Sequence, residues 1–268
     1  MPEARGVDRY EALYREFDSP LMRRVRRDAY GEDIGQHSWV AADDLRADIG
    51  RLGLTSSSRI LDLGCGPCGP ITFILLAAGC LGTGVELSLA ALRVGRARSR
   101  ELGVGARLTQ AQADLNAPLP MRSRRFDAVM SLDVVLHLRD RLHLFHEVAR
   151  VLRPGGRFLF TDAGVMTGPI SEEEARRRSL TGSCRFVAPG WNERLLESAG
   201  FRLIETGNRS DGVLRNARGR LAAIRAHRKD LERVWSAAEF RRQQDYLEAV
   251  IELSSKGALS RAMVLAEI

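Results

Sequence analysis

The chain has 268 residues, of which 44% are apolar, and a formal net charge of +7. It is longer than a minimal doubly wound domain, and no run of about 18 apolar residues occurs, so we expect no membrane span. The N-terminus has no apolar signal core, and a cytoplasmic location is therefore the expectation.

The positive charge does not by itself indicate nucleic-acid binding. Of 41 basic residues, only Lys229 and Lys256 are lysines, a bias that points to the coding sequence rather than to a binding requirement. Arginine clusters at 23–27, 122–125 and 176–178 are typical of solvated helix and turn surfaces, although a concentrated basic face would bind phosphate. We therefore expect a small-molecule partner and disfavour nucleic acid; an anionic substrate stays open, and the sequence predicts no oligomeric state.

The order of the predicted elements defines the fold class. An amphipathic helix over 8–27 and a linker over 30–39 precede a helix that ends near Leu52, and strands then alternate with helices. This alternation predicts a doubly wound, mostly parallel seven-stranded α/β sheet. The strands are predicted at 58–63, 81–86, 106–112, 126–131, 156–162, 201–206 and 261–268, and the intervening helices at 69–78, 88–102, 139–152 and 191–199.

Two segments fall outside this alternation, and we expect them to determine substrate specificity. Residues 163–190 include a serine-capped helix start at Ser171, and residues 208–255 contain two mostly polar helices at 222–235 and 237–253. We expect N-terminal helices and a linker over 1–57, followed by a ligand-binding domain over 58–268 that carries both inserts.

The most informative stretch is Ile60 to Gly69, an apolar strand that runs into a glycine-rich turn. Gly64, Gly66 and Gly69 satisfy the G-x-G-x-x-G pattern of NAD-binding folds. Asp62, however, would repel a pyrophosphate and suits a cationic ligand. Glu86 ends the second strand, where an acid is placed to accept hydrogen bonds from the ribose hydroxyls of NAD or of another nucleoside cofactor.

These residues and those that follow them resemble the class I S-adenosylmethionine (SAM)-dependent methyltransferases. The resemblance covers roughly residues 30–207 and includes five motifs in order, with Cys68 standing where the family commonly has glycine. It implies a Rossmann-like methyltransferase fold with SAM as cofactor. The SAM-binding residues that it implies are Asp62, Gly64, Cys65, Gly66, Glu86, Leu87, Asp114, Leu115 and Ser131. The inserts over 163–190 and 208–255 resemble the helical lid of the glycine, sarcosine and phosphoethanolamine methyltransferases.

The linker Gly31 to Trp39 is similar to a segment of the glycine, sarcosine and phosphoethanolamine methyltransferases. In these small-molecule enzymes the segment folds over SAM, which implies that Trp39 helps to enclose the sulfonium. The resemblance also extends to natural-product methyltransferases, so a nitrogen, oxygen or carbon acceptor stays open, with an amine slightly favoured.

His37 and His137 are the candidate catalytic residues, because an imidazole with an ordinary pKa near 6.5 accepts a proton at neutral pH. Cys65 and Cys68 form a C-x-x-C without a second ligand pair, so we expect packing roles and no metal. Two alternatives stay open. One is a nucleic-acid or protein methyltransferase, disfavoured for nucleic acid because Ser131-Leu-Asp-Val replaces an Asn-Pro-Pro-Tyr-type motif, and the other is a regulatory protein that binds SAM without turnover.

Overall fold

The structure, a computed structural model, describes residues 10–179 and 184–268. Its centre is a seven-stranded sheet with strand order β3-β2-β1-β4-β5-β7-β6, in which only β7 runs antiparallel to its neighbours. The prediction of a doubly wound, mostly parallel α/β sheet is confirmed. The strands are β1 (Arg59–Leu63), β2 (Leu81–Glu86), β3 (Leu108–Gln112), β4 (Phe126–Leu132), β5 (Leu152–Met166), β6 (Arg202–Asn208) and β7 (Leu259–Glu267).

Helices cover both faces of this sheet and form an additional layer above its carboxyl edge. Buried apolar side chains of two clusters, one on each face, hold the sheet between its helices. The helices are α1 (residues 10–15), α2 (Pro20–Tyr30), α3 (Ala42–Arg51), α4 (Gly69–Ala78), α5 (Leu89–Glu101), α6 (Arg141–Val151), α7 (Glu172–Arg178), α8 (Trp191–Ser198), α9 (Ser210–Ala226), α10 (Arg228–Leu231) and α11 (Ala237–Ser255).

The prediction of one continuous N-terminal helix over 8–27 is wrong. Its first two residues lie outside the described ranges, and the described part divides into α1 and α2 at a turn over residues 16–18. Ser19 caps α2 by accepting a hydrogen bond from the Met22 backbone N–H at 3.3 Å, and Pro20 occupies the first turn. Proline lacks the N–H that a continuous helix needs, so the chain restarts there.

The lid also differs from the prediction in its boundaries. α9 begins at Ser210, twelve residues before the predicted start at 222. Polar residues and two glycines hide its periodicity, but one face buries Val213, Ala217 and Ile224 in a cluster shared with α2 and α11. Burial in tertiary packing therefore outweighs weak helix propensity.

The sheet topology places the ends of β1, β2 and β4 together. Strand order reverses between β1 and β4, and such a switch point opens a crevice beyond the carboxyl ends of the strands. Within residues 10–179 and 184–268, no helix is both long and apolar enough to cross a membrane.

Candidate active site

A cavity of about 700 Å³ occupies this crevice. Its floor comes from the ends of β1, β2 and β4 and from the turn after β3, and its roof comes from α1, the linker 31–39 and the lid helices α7, α9 and α11. Most of the predicted site residues line it: His37, Trp39, Asp62, Gly64, Cys65, Gly66, Glu86, Leu87, Asp114, Leu115 and His137.

The turn after β1 is shaped by Gly64. Its φ of 73° lies in the left-handed region, and a Cβ at this position would lie 2.5 Å from Cγ2 of Val134. The backbone N–H groups of Gly64 and Cys65 both donate to the Val85 carbonyl, at 2.8 and 3.0 Å. These bonds hold the turn against β2, so that a ligand approaches bare backbone.

Asp62 is a buried carboxylate without a protein partner. Only 2% of its surface is exposed, and it makes no hydrogen bond or ion pair within the described residues. Burial raises the pKa of Asp62 well above its ordinary value, and the nearby Glu86 carboxylate raises it further. A buried carboxylate without a partner is unfavourable, so this position suits a ligand that brings a positive charge.

Glu86 is already held by three backbone N–H groups. Gly66 donates to one carboxylate oxygen at 3.0 Å, and Leu87 and Ser88 donate to the other at 2.9 Å. Burial nevertheless raises its pKa, although these bonds oppose the shift. A carboxylate accepts about four hydrogen bonds, so one further donor can bind it without loss of the backbone contacts.

The adenine end of the predicted site lies after β3. Asp114 is exposed at the cavity edge, where its Oδ1 accepts hydrogen bonds from the backbone and side chain of Asn116, both at 2.9 Å. Leu115 is buried and lines the cavity beside it. An acid and an apolar side chain at this position suit the polar edge and the face of a purine.

Ser131 lies elsewhere than predicted. It is fully buried, does not line the cavity, and its hydroxyl donates to the Leu63 carbonyl at 3.0 Å. This bond joins β4 to the end of β1 and consumes the hydroxyl proton. Ser131 therefore supports the turn from behind instead of contacting a ligand.

Cys65 and Cys68 are free thiols inside the turn, with their sulfurs 3.5 Å apart. Cys68 has a φ of 58°, which lies in the left-handed region that favours glycine. Its sulfur fills the space beside Gly84 and Gly95, where a Cβ would lie 3.5 and 2.7 Å from it. No group of three potential metal ligands occurs in the described part of the chain.

His37 is enclosed by aromatic rings. The centroids of Tyr10, Tyr14 and Phe17 lie 6.1, 5.7 and 6.1 Å from its ring. Burial, together with the positive charges of Arg220 and Arg26, lowers the pKa of His37 to about 3. The imidazole is therefore neutral at physiological pH and weakly basic.

His137 also packs against Tyr10, with ring centroids 6.3 Å apart. Its Nδ1 is buried without a hydrogen-bond partner, and the ring lines the cavity beside Cys184. Burial alone would raise the pKa of Cys184, but hydrogen bonding to His137 and the charge of Arg178 lower it to about 7.

Trp39 is fixed in the roof by its backbone. Its N–H donates to Oδ2 of Asp133 at 3.0 Å, and its carbonyl accepts from the Asn216 side chain at 2.7 Å. Asp133 also accepts from Arg261 and Thr161, at 2.8 and 2.9 Å. The linker is thereby tied to β4, β5, β7 and α9.

Several residues of the cavity wall were not predicted from the sequence. Arg220 carries no motif, and Tyr10 and Tyr246 match ordinary amphipathic spacing, so nothing in the chain marked them. Arg178 lay within a recognised arginine cluster, but a buried arginine has the same sequence signature as its solvated neighbours. The cavity-lining residues that the sequence did not predict are Tyr10, Asp133, Arg178, Cys184, Arg220 and Tyr246.

Comparison with known proteins gives the class of this domain. Residues 61–160 match the family described as "Methyltransferase domain". The 27-O-demethylrifamycin SV methyltransferase of Amycolatopsis mediterranei is 33% identical over 129 residues, which are 48% of this chain and 47% of that protein. The chain spans about half the length of the first curated relatives that it matches.

Solved structures share the fold. Phosphoethanolamine N-methyltransferase 2 of Haemonchus contortus, in complex with phosphomonomethylethanolamine and S-adenosylhomocysteine, has a TM-score of 0.80 at 22% identity, covering 96% of this chain and 59% of that one. The [4+2]-cyclase SpnF has a TM-score of 0.75 at 20% identity, covering 97% and 94%. At these identities the likeness establishes the fold alone.

Fold and sequence agree on one class: residues 61–160 match a methyltransferase domain, and the seven-stranded sheet has the fold of solved methyltransferases, as the resemblance predicted. Within that class its relatives are methyltransferases named for small-molecule acceptors, among them rifamycin, glycine and phosphoethanolamine derivatives. The cofactor of this class is SAM, and the unpaired Asp62 carboxylate suits the ammonium group of that cofactor.

Proposed function

We propose that this protein transfers a methyl group from SAM to a small-molecule acceptor, with an amine favoured over an oxygen or carbon nucleophile. One observation carries the proposal. A single cavity joins the unpaired carboxylate of Asp62 and the strand-end acid Glu86 to an opposite wall that contains His137 and aromatic rings. The cavity is large enough to contain a small molecule beside the cofactor.

The residues of the chain divide the work between binding and proton transfer. When bound, SAM supplies a methyl group on a positively charged sulfur. Asp62 pairs with the ammonium group of SAM, and Glu86 accepts a hydrogen bond from a ribose hydroxyl. Asp114 and Leu115 line the end of the cavity that holds the purine. Trp39, held by Asp133 and Asn216, covers the site and excludes water, which favours an in-line displacement.

We assign the proton acceptor to His137 and a positioning role to His37. The buried Nδ1 of His137 lacks a partner and can accept the proton that the acceptor nitrogen or hydroxyl loses. His37 has a pKa near 3 and remains neutral, so it offers a hydrogen bond rather than a base. Replacement His137→Gln should lower kcat by about 10²-fold for a hydroxyl acceptor while leaving SAM affinity unchanged.

The test is a screen of the purified protein with radiolabelled SAM against pools of amines, hydroxyl compounds and nucleic acids. We expect label in a small-molecule pool, and the Asp62→Asn variant serves as the control for cofactor-dependent transfer. Label in nucleic acid alone would reject the small-molecule assignment.

A second candidate is a SAM-binding protein that does not transfer methyl groups. It is supported by the fold likeness to SpnF, which is described as a [4+2]-cyclase, since this fold is not limited to methyl transfer. Tight binding of S-adenosylhomocysteine without labelled product in any pool would favour this candidate.

A further inference from the structure

The buried arginines of this protein differ in whether a carboxylate pairs with them. Within residues 10–179 and 184–268, five arginines are buried, and four of them make an ion pair with a carboxylate. Burial of a charge is unfavourable unless an opposite charge accompanies it. The four pairs are Arg26 with Asp33 at 2.8 Å, Arg98 with Asp18 at 3.2 Å, Arg141 with Asp162 at 2.6 Å and Arg261 with Asp133 at 2.8 Å.

Arg178 is the fifth, and it pairs with no carboxylate among the described residues. The residue is 4% exposed and lines the cavity. One nitrogen donates to the Ala163 carbonyl at 3.1 Å and another lies 3.4 Å from the hydroxyl of Tyr246. The remaining N–H groups stay available for a ligand, because a guanidinium presents more donors than these two contacts use.

Arg220 adds a second positive charge to the same wall. It is partly buried, lines the cavity, and makes no hydrogen bond or ion pair within the described residues. Its guanidinium carbon lies 5.0 Å from the centre of the Trp39 ring, and that of Arg178 lies 5.9 Å from the same centre. Trp39 and Tyr246 stack with centroids 6.1 Å apart, so both arginines border one aromatic surface.

The nearest negative groups do not neutralise this pair. The Asp133 carboxylate interacts electrostatically with Arg178 without a hydrogen bond to it. Its hydrogen bonds go to Arg261, Thr161 and the Trp39 backbone. The Cys184 thiol lies close to Arg178 and supplies at most part of one charge near neutral pH. Two guanidiniums therefore face the cavity with an excess of positive charge.

We propose that the methyl acceptor carries an anionic group, a carboxylate or a phosphate, which Arg178 and Arg220 bind beside Trp39 and Tyr246. This inference rests on the proposed function, since it assigns the acceptor of the same site. A planar guanidinium fork matches both anions through paired hydrogen bonds, and the aromatic surface holds the fork in place.

The test measures anion binding to protein saturated with S-adenosylhomocysteine, so that no turnover is needed. Inorganic phosphate and acetate are titrated at constant ionic strength, with chloride as the reference, and the melting temperature is recorded. We expect one of the two anions to stabilise the wild type beyond chloride, and the stronger one identifies a phosphate or a carboxylate acceptor. Equal response to phosphate, acetate and chloride would overturn the proposal.

Three variants assign the effect to residues. Arg178→Gln and Arg220→Gln should each weaken the apparent anion affinity at least tenfold, whereas Arg218→Gln, the same charge change on an exposed side chain of α9, should leave it unchanged. Arg178→Lys keeps the charge and should retain part of the response if Arg178→Gln does not fold. Equal anion binding by Arg220→Gln and Arg218→Gln would contradict the assignment.

Calorimetry with S-adenosylhomocysteine separates this inference from the proposed function. If the arginine variants lose affinity for S-adenosylhomocysteine and keep the anion response, the arginines bind the carboxylate of the cofactor and the acceptor assignment fails. If wild-type protein does not bind S-adenosylhomocysteine at all, the proposed function fails, whatever the anion titration gives.

Discussion

The cofactor half and the acceptor half of the cavity are built in opposite ways. The cofactor half comes from consecutive strand ends, at 62–66, 86–87 and 114–115, and contains a buried carboxylate without a partner. The acceptor half is assembled from α1, the linker 31–39 and three lid helices, and contains a buried guanidinium without a carboxylate. Each half lacks the charge that its ligand brings, so the two ligands are expected to differ in sign at these points.

The largest expected effect tests the unpaired carboxylate of the cofactor half. Replacement Asp62→Asn should weaken SAM binding by about 10- to 100-fold, because the charge-assisted contact to the ammonium group is lost. The same variant should raise the melting temperature of the ligand-free protein, because a buried carboxylate that lies beside Glu86 is removed. Calorimetry and thermal unfolding measure the two effects separately.

The pH dependence of unfolding gives the control for Asp62. A raised pKa means that the folded state binds the proton more tightly than the unfolded state. The wild type should therefore lose stability relative to Asp62→Asn as the pH rises above about 3.9, the ordinary value of this carboxyl group. A wild type that gains stability relative to the variant over this range would show that Asp62 has a hidden partner.

The next prediction concerns the contact that holds the two halves together. A Cβ at Gly69, at the start of α4, would lie 2.1 Å from the carbonyl oxygen of Gly35 in the linker. Gly69→Ala should destabilise the protein by about 1–3 kcal/mol and weaken SAM binding, because the linker that carries Trp39 must move. Chemical denaturation checks the first effect and calorimetry the second.

Gly50→Ala is the matched control for this contact. Gly50 lies in α3 with open space around its Cβ position, so alanine should stabilise the helix by about 0.5–1 kcal/mol. If both variants changed stability in the same direction, close approach of the linker to α4 would not be the cause.

A third prediction tests the pair formed by His137 and Cys184 in the acceptor half. Alkylation of Cys184 by iodoacetamide should have its midpoint near pH 7, because its thiol pKa is lowered to about 7. His137→Ala removes the hydrogen bond and should move the midpoint toward about 8.5, the ordinary thiol value. Mass spectrometry of the modified peptide distinguishes Cys184 from the buried Cys65, Cys68 and Cys80, and an unchanged midpoint would exclude the interaction.

The same contrast explains what the sequence could predict. Strand ends that are adjacent in a parallel sheet share one edge, so local motifs sufficed to group Asp62, Glu86 and Asp114. Arg178 and Arg220 lie on separate helices whose neighbours are set by tertiary packing, and a buried arginine has the same sequence signature as a solvated one. Ser131 was misplaced because its motif position does not reveal that the hydroxyl turns toward the Leu63 carbonyl.

The smallest expected effect concerns Ser19, the N-cap of a helix that supports the acceptor half. This serine caps α2, whose Arg26 pairs with Asp33 at the start of the linker. Ser19→Ala should lower the free energy of unfolding by about 1 kcal/mol, since an unsatisfied N–H remains at the helix start. Ser255→Ala, an exposed position at the end of α11, should change it little. If the cap variant also lost anion binding but kept affinity for S-adenosylhomocysteine, the N-terminal helices would be shown to position the acceptor half alone; loss of both would mean that the two halves are coupled through the linker.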